Sequence, residues 1–372
     1  MTPAPVRPNV LRMRPYSPGR PIEEVERERG LTDVIKLASN ENPLGGSPKA
    51  RAAMAEALDK IHLYPDASVF GLSSALANHL DLPKGQIFVG NGSDELLTLI
   101  GLAFLSGLED EIIVGNPSFV RYDSMAELAP CGCVQVPLTA DYRLDIPAMI
   151  GAITPRTKLV MLANPNNPTG TRVTRQEVDA LFAALPEGVT VVLDEAYFEF
   201  ACDDPGFPNS VENVKQGKPV IGLRTFSKTY GLAGIRVGYG FASPEIAEAI
   251  QRVRAPFNVN ALAQIGAVAA LADKEFISET VRHNRSERDR LMQITTELGL
   301  KPVPSAANFV LIDLGRPANP WVEQLLDRGV IVRSGVGLGL PNCMRVSVGT
   351  TAEMDRFYAA LTEIVKGDTA SA

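Results

Sequence analysis

KLVMLANPNNPTGTRVTRQEVDALFAALPEGVTVVLDEAY, residues 158–197, holds two apolar runs on either side of a helical segment. Lys158–Ala163 is a short, nearly continuous apolar stretch, the pattern of a strand covered on both faces. It runs into NPNNPTG (164–170), where two X-Pro bonds and a glycine hold a non-helical loop. Thr174–Leu185 is predicted as a helix opened by a capping box of Thr174 and Glu177. Thr190–Leu193 is the next strand and ends in DEAY (194–197). Strand, helix and strand in this order imply a parallel sheet with helices on its faces.

The alternation continues in both directions. Upstream, Ile87–Val89, Glu111–Val114 and Val134–Val136 read as strands, and Ser93–Leu105 and Ser118–Ala129 as helices. Downstream, Val220–Leu223 and Val237–Phe241 are further strands. After about Ser243 the pattern changes to three helical stretches, Pro244–Arg254, Asn260–Ala272 and a long one ending near Leu298. Asn308–Leu314, Val330–Arg333 and Met344–Val348 are strands, Pro320–Arg328 is a helix, and a capped helix opens near Thr350 and Glu353. At the other end, an irregular arm reaches about Gly19, and a short helix lies between Pro21 and Gly30. A strand at Val34–Leu37, the loop SNENPLGG and a helix opening at Ser47-Pro48 follow. The expected fold is α/β: a large domain with a mostly parallel sheet sandwiched by helices, plus a smaller α+β domain. The expected divisions are 1–30, 31–255 and 256–372.

A chain of 372 residues suggests roughly two to three domains of ~150 residues each. With 45% hydrophobic and 21% charged residues, its usage is that of an ordinary globular protein, which excludes disordered and fibrous classes. Asp and Glu (43) outnumber Lys and Arg (36), giving a formal charge of −7, a poor match to nucleic acid or an anionic lipid surface. Four cysteines do not make a disulfide scaffold in a chain this long, and Cys131 and Cys133 have no second pair at zinc spacing. His62, His79 and His283 are scattered, so no metal site is expected. Met1–Gly19 is basic and proline-rich without the apolar core of a secretory signal. Leu96–Leu105 is about half of the ~20 residues a membrane span needs. Cytoplasm is the expected compartment, with no membrane partner.

The common phosphate-binding signatures are missing. There is no G-x-x-x-x-G-K-[ST] and no G-x-G-x-x-G between a strand and a helix. Gly335, Gly337 and Gly339 form a glycine-rich loop, but Pro341 follows where a helix would have to open. The nucleophile elbow G-x-S-x-G is also absent.

What carries chemistry is a set of loops at the carboxyl ends of predicted strands, the edge where open α/β sheets bind ligands. These are NPNNPTG (164–170), DEAY (194–197) and TFSKTYGLAGIRVGYG (225–240). Lys228, between Ser227 and Thr229, can be partly desolvated. That lowers a lysine pKa and frees the amine for a Schiff base, whereas a lysine in an open loop is a solvated charge. Asp194 closes the run TVVLD, and a carboxylate at the end of a buried strand needs a cationic partner. A protonated pyridine nitrogen is one such partner; a helix cap or structural ion pair is the plainer alternative. Tyr197 offers a phenol to the same ligand, and Asn167 an amide unless its loop is a simple turn. Arg236 with Ser227 and Thr225 can bind a phosphate dianion. Gly92-Ser93-Asp94-Glu95 opens a helix whose free amides form an anion site, or only an N-cap.

Taken together, SKTYGLAGIRVGYG, the upstream DEAY and NPNNPTG resemble the fold-type I, pyridoxal-phosphate-dependent aminotransferases, over nearly the whole chain. The order of N/P-rich loop, Asp-x-x-Tyr, Ser-Lys and Arg is that family's. Within it the chain most resembles the histidinol-phosphate aminotransferases, through RPYSPG (14–19), LASNENP (37–43), LYPD (63–66), GNGSDE (90–95), PFNVN (256–260), NFVLIDL (308–314), GVIVR (329–333) and MRVSVGT (344–350). The resemblance implies that Lys228 carries the cofactor and moves the proton, and that Asp194 keeps the pyridine nitrogen protonated. It implies that Tyr197 and Asn167 bond the ring 3-oxygen. Ser93, Asp94, Thr225, Ser227 and Arg236 would hold the phosphate. Phe119, in NPSF, falls where the family stacks an aromatic on the ring, often a tyrosine. Tyr64 would reach the cofactor of a second subunit, so the resemblance implies a homodimer with shared active sites, its N-terminal arm touching the partner.

Arg333 and Arg345 lie on predicted strands, and two guanidinium forks can clamp a carboxylate or a phosphate. Histidinol phosphate carries a phosphate and no α-carboxylate, and glutamate carries two carboxylates, so one arginine pair could serve both half-reactions. Tyr16 would add a hydroxyl from the neighbouring subunit. The implied activity is ping-pong transfer of an amino group between L-histidinol phosphate and 2-oxoglutarate or glutamate. An aromatic amino acid aminotransferase is the alternative on the same scaffold. A decarboxylase sits badly with Arg345, which would anchor a carboxylate that stays. A DNA-binding regulator would need a further domain that the chain has no room for.

Overall fold

The computed structural model describes residues 5–13, 15 and 19–370, with side chains to 367. Its strands are β1 (Ile35–Leu37), β2 (Ile87–Gly90), β3 (Glu111–Asn116), β4 (Gly132–Pro137), β5 (Thr157–Ala163) and β6 (Thr190–Asp194). They continue with β7 (Val220–Thr225), β8 (Gly238–Phe241), β9 (Lys301–Pro302), β10 (Phe309–Asp313), β11 (Val330–Ser334) and β12 (Cys343–Ser347). Seven of them form one sheet in the order β2-β8-β7-β6-β5-β3-β4. β4, β3, β5, β6 and β7 run parallel to one another, and β8 runs against both of its neighbours, β7 and β2. The α/β architecture with a mostly parallel central sheet is therefore as the sequence suggested.

The apolar runs do the work expected of doubly covered strands. Val160, Leu162, Val191 and Leu193 pack into the core on one face of the sheet, while Leu159, Met161 and Val192 pack on the other, following the two-residue period of a strand. Truncating such a side chain to alanine costs ~2–5 kcal/mol. The helix after the 164–170 loop spans Arg175–Ala184 and has the predicted capping box, with both the Thr174 and the Glu177 bonds formed. The short N-terminal helix, Ile22–Arg29, ends on Gly30 in the left-handed conformation (φ 65°). One substantial helix, Phe70–Leu80, is not part of the sequence reading; its N-cap is Val69, which caps with no side chain.

The remaining strands form a second sheet, β1-β11-β12-β10-β9. β1 lies inside the 31–255 span expected to build the large domain, yet it pairs in parallel with β11 of this smaller sheet. The expected boundary at residue 30 thus separates a strand from its own sheet. β1 is three residues long, and its partner is distant in sequence, so no local pattern assigns it. The smaller core gathers Val310, Ile312, Val346, Trp321, Leu325, Phe357 and Leu361. The C-terminal helix, Thr351–Ala370, opens on the Thr350–Glu353 box, as read.

A buried ion pair ties the ends of the strands that carry the predicted chemistry. Arg224, near the end of β7, donates to Glu195, just past β6, at 2.9 Å, with both side chains sealed from solvent. Ser210 adds two hydrogen bonds to the same carboxylate, and the Arg224 guanidinium lies 3.3 Å over the Phe198 ring. Removing one partner of such a pair costs ~3–5 kcal/mol because the other is left charged and buried. No described helix is long and apolar enough to cross a membrane.

Candidate active site

A cleft of about 300 Å³ opens where the carboxyl ends of β5, β6 and β7 face the smaller sheet. Ser93, Asp94, Phe119, Asn167, Asp194, Tyr197, Thr225, Ser227, Lys228, Arg236, Arg333 and Arg345 all line it. Twelve residues singled out from scattered motifs are thus brought to one wall-to-wall space.

Lys228 sits three residues past β7. Its ammonium donates to the carbonyls of Asn40 (3.1 Å) and Ser39 (3.4 Å). Burial lowers its pKa to about 8, helped by the positive charges of Arg345 and Arg236 and opposed by Glu41. At that value an appreciable share of the amine is neutral near physiological pH, as a nucleophile or base requires.

Asp194 ends β6 and is 4% exposed. The Tyr122 hydroxyl donates to its Oδ2 at 2.9 Å, while Oδ1 is buried without a hydrogen-bond partner. Burial raises the carboxyl pKa to about 6, and the Tyr122 hydrogen bond opposes the rise. A carboxylate oxygen left unsatisfied costs free energy. Asp194 lines the cleft, and a buried carboxylate there suits a cationic N–H donor such as a pyridinium. Phe119 meets the Tyr122 ring edge-on at 5.8 Å between centroids and forms part of the cleft wall.

The anion cradle forms by close backbone approach. Gly92 (φ 83°) precedes the Ser93–Phe104 helix, which begins without a side-chain cap. A Cβ on Gly92 would lie 2.4 Å from the Arg236 guanidinium, and one on Gly238 would lie 2.3 Å from the Ser93 amide nitrogen. Only glycine lets the helix start, β8 and Arg236 come this near. Arg236 itself has φ 61° and donates to Ala233 O (3.1 Å) and Ser227 Oγ (3.5 Å). The Asp94 carboxylate is held by Arg121 at 2.6 Å.

Arg333 and Arg345 stand directly opposite each other on antiparallel β11 and β12. Arg345 donates to Asn167 Oδ1 (2.6 Å) and Ala38 O (2.8 Å) and lies 5.1 Å over the Phe309 ring. Engaging Oδ1 turns the amide nitrogen of Asn167 into its available donor end. The 164–170 loop is pinned by Asn164, whose side chain pairs with both backbone groups of Val173.

Two predicted positions lie elsewhere. Tyr64 is 83% exposed, stacked on Phe257 at 4.8 Å, and does not line the cleft of its own chain. Tyr16 falls outside the described residues. Among those described, no cluster of three or more His, Cys, Asp or Glu could hold a metal. Cys131 and Cys133 are free thiols, pushed up by burial to about 11 and about 12, which makes them poor nucleophiles. The sequence reading missed Tyr122 and Asn40. Tyr122 is hidden inside a helix, and Asn40 belongs to SNENP, a loop whose neighbours are set by tertiary contacts.

Three comparisons bear on this geometry. Residues 32–361 match the family model for aminotransferase class I and II. A histidinol-phosphate aminotransferase of Moorella thermoacetica is 47% identical over 360 residues, covering 96% of this chain and 92% of that one. One from Brevibacillus brevis is 44% identical, covering 96% and 98%. The crystal structure of histidinol-phosphate aminotransferase from Sinorhizobium meliloti in complex with pyridoxal-5'-phosphate superposes with a TM-score of 0.89 at 33% identity, covering 98% of each chain.

Proposed function

The chain belongs to the class I and II aminotransferases, and from that premise we propose that it moves the amino group between L-histidinol phosphate and 2-oxoglutarate or glutamate, in a ping-pong cycle with pyridoxal phosphate. The observation that carries the reading is the pairing, across one cleft, of a lysine depressed to about 8 with a buried aspartate whose Oδ1 lacks a partner. Relatives that cover nearly the full length carry the name of this activity, and one of the matching structures holds pyridoxal phosphate.

When bound, pyridoxal phosphate supplies a pyridine ring that accepts the electron pair released at the substrate carbon. In this reading Asp194 Oδ1 accepts the ring N–H and keeps that nitrogen protonated, its other oxygen anchored by Tyr122. Phe119 offers a ring face, and Tyr197 with the Asn167 amide nitrogen donates to the 3-oxygen. The amides of Ser93 and Asp94, the hydroxyls of Thr225 and Ser227, and Arg236 hold the phosphate. Lys228 would hold the cofactor and would carry the proton to and from the substrate carbon. Arg333 and Arg345 bind the phosphate of one substrate and a carboxylate of the other, with Tyr16 contributed by a neighbour.

The homodimer is part of the proposal. Leu58, Ile61, Leu63 and Tyr64 form an exposed apolar run, an expensive face for a lone chain and a suitable one for a second copy. A dimer would let Tyr64 reach the partner's cofactor phosphate. We keep the division into a large cofactor-binding domain (31–255) and a small domain (256–372), with β1 attached to the smaller sheet. A cytoplasmic location follows from substrates that are charged phosphate esters and dicarboxylates.

The test is single-turnover kinetics of the cofactor-loaded protein with L-histidinol phosphate, L-phenylalanine and L-tyrosine, read from the cofactor absorbance. Histidinol phosphate is expected to win by about a hundredfold or more in rate over binding constant, the scale at which a lost polar contact discriminates. Equal or better turnover of phenylalanine or tyrosine overturns the substrate assignment and makes the protein an aromatic aminotransferase.

A further inference from the structure

We infer that Asn40 is a positioning residue that fixes the direction in which the Tyr197 hydroxyl donates, and that it couples this direction to Lys228 and to the smaller sheet. The inference rests on the reading that Tyr197 donates to the cofactor 3-oxygen.

Asn40 is 2% exposed and takes a left-handed conformation (φ 55°). Its backbone N–H donates to Ser347 Oγ at 2.9 Å. Ser347 Oγ lies 2.8 Å from Asn40 Oδ1. Among the described residues Ser347 Oγ has no other hydrogen-bond partner, so its single proton is satisfied only if the end of the amide that faces it is the oxygen. The amide nitrogen is thereby the end that meets Tyr197 Oη, at 3.0 Å. An amide nitrogen only donates, so the phenol oxygen accepts and its own proton points away from Asn40. Tyr197 lines the cleft, so this polarity makes it a donor toward a ligand there. The carbonyl of Asn40 accepts from Lys228 Nζ (3.1 Å) and from Asn308 Nδ2 (3.0 Å). One residue therefore touches both cleft groups and is gripped by Ser347 of β12 and by Asn308 just before β10.

Asn40→Asp is the decisive substitution. It keeps the shape and tolerates the left-handed backbone, but its carboxylate only accepts. The phenol would turn its proton to residue 40 and away from the cofactor. The measurements are the pH midpoint of the visible absorbance change of the holoenzyme and the dissociation constant for pyridoxal phosphate. Both are made on the wild type, Asn40→Asp, Tyr197→Phe and the double variant. A donor to the 3-oxygen stabilises its negative charge, so losing it is expected to raise the midpoint by about one pH unit and to weaken the cofactor about tenfold, the scale of one hydrogen bond. The added negative charge acts in both backgrounds, so the diagnostic quantity is the difference between them. The shift is expected to be at least about threefold larger when Tyr197 is present. Ser347→Ala, which unlocks the amide and also removes the acceptor of the Asn40 N–H, adds no charge and is expected to give a smaller shift in the same direction, again dependent on Tyr197. Equal shifts in both backgrounds overturn the inference and leave the aminotransferase reading intact. A wild-type chain that binds no pyridoxal phosphate overturns both.

Discussion

Asp194→Asn is expected to make the cofactor-free protein more stable while disabling the holoenzyme. Burial raises the Asp194 carboxyl from 3.8 to about 6. That is a difference of about two pH units, and at roughly 1.4 kcal/mol per unit the ionised side chain costs the fold about 3 kcal/mol at neutral pH. The sign follows from proton counting. Between about 4 and 6 the folded state holds the proton and the unfolded state does not, so the wild type loses stability as pH rises through that window. Asparagine is neutral throughout. It still accepts from Tyr122, though without the charge, which gives back about 1 kcal/mol. The net gain at pH 7.5 is therefore about 2 kcal/mol, shrinking toward zero near pH 4. The assay is urea unfolding of both proteins after cofactor removal, at fixed protein concentration, at pH 4.5 and 7.5. A variant no more stable than wild type at pH 7.5, or a gain that does not change with pH, would refute the electrostatic account. Pyridoxal phosphate affinity should move the opposite way, since the ring nitrogen loses its anionic partner.

Lys228→Ala should abolish transamination and covalent capture of the cofactor by borohydride, whereas cofactor uptake by the cofactor-free wild type should quicken as pH rises through about 8, where the amine loses its proton; full turnover in the variant would remove Lys228 from its role. Arg345→Ala should weaken both half-reactions by about 2–4 kcal/mol of transition-state binding, because the residue also steadies Asn167. An unchanged glutamate half-reaction, measured alone, would exclude Arg345 from substrate binding. Gly92→Ala sets a methyl against the Arg236 guanidinium on a backbone that favours glycine, so it should cost roughly 1–3 kcal/mol of stability and raise the cofactor dissociation constant at least about tenfold by equilibrium titration. Unaltered affinity would mean that Arg236 does not hold the phosphate.

Much of this site was legible because parallel sheets concentrate ligand groups at one edge, and the motifs that mark the edge are local. Asp194 ends an apolar run, and Lys228 follows another with glycines close behind it. What escaped the reading depends on contacts between distant segments. Tyr122 looks like any aromatic on a helix until β6 delivers a carboxylate to it. Asn40 lies in a loop whose partners, Ser347 and Asn308, are about 300 and 270 residues away. β1 is too short to declare its sheet, and the helix at Phe70–Leu80 opens on Val69 with no side-chain cap to announce it.

The pairing of β1 with β11 also sets an order of assembly. Ile35 meets Val330, about 295 residues further along. On a ribosome adding about 5–20 residues each second, β1 waits roughly 15–60 s for its neighbour to be made. The strands of the larger sheet, within residues 87–241, have all left the tunnel well before then. Nascent chains therefore carry a formed Lys228 and Asp194 edge facing a rim that does not yet exist. The backbone N–H and side-chain amide oxygen of Asn40 wait for Ser347 of β12, although its carbonyl can meet Lys228 earlier. Arg333 and Arg345 are the last members of the cleft to be made, so its wall is completed only as synthesis ends.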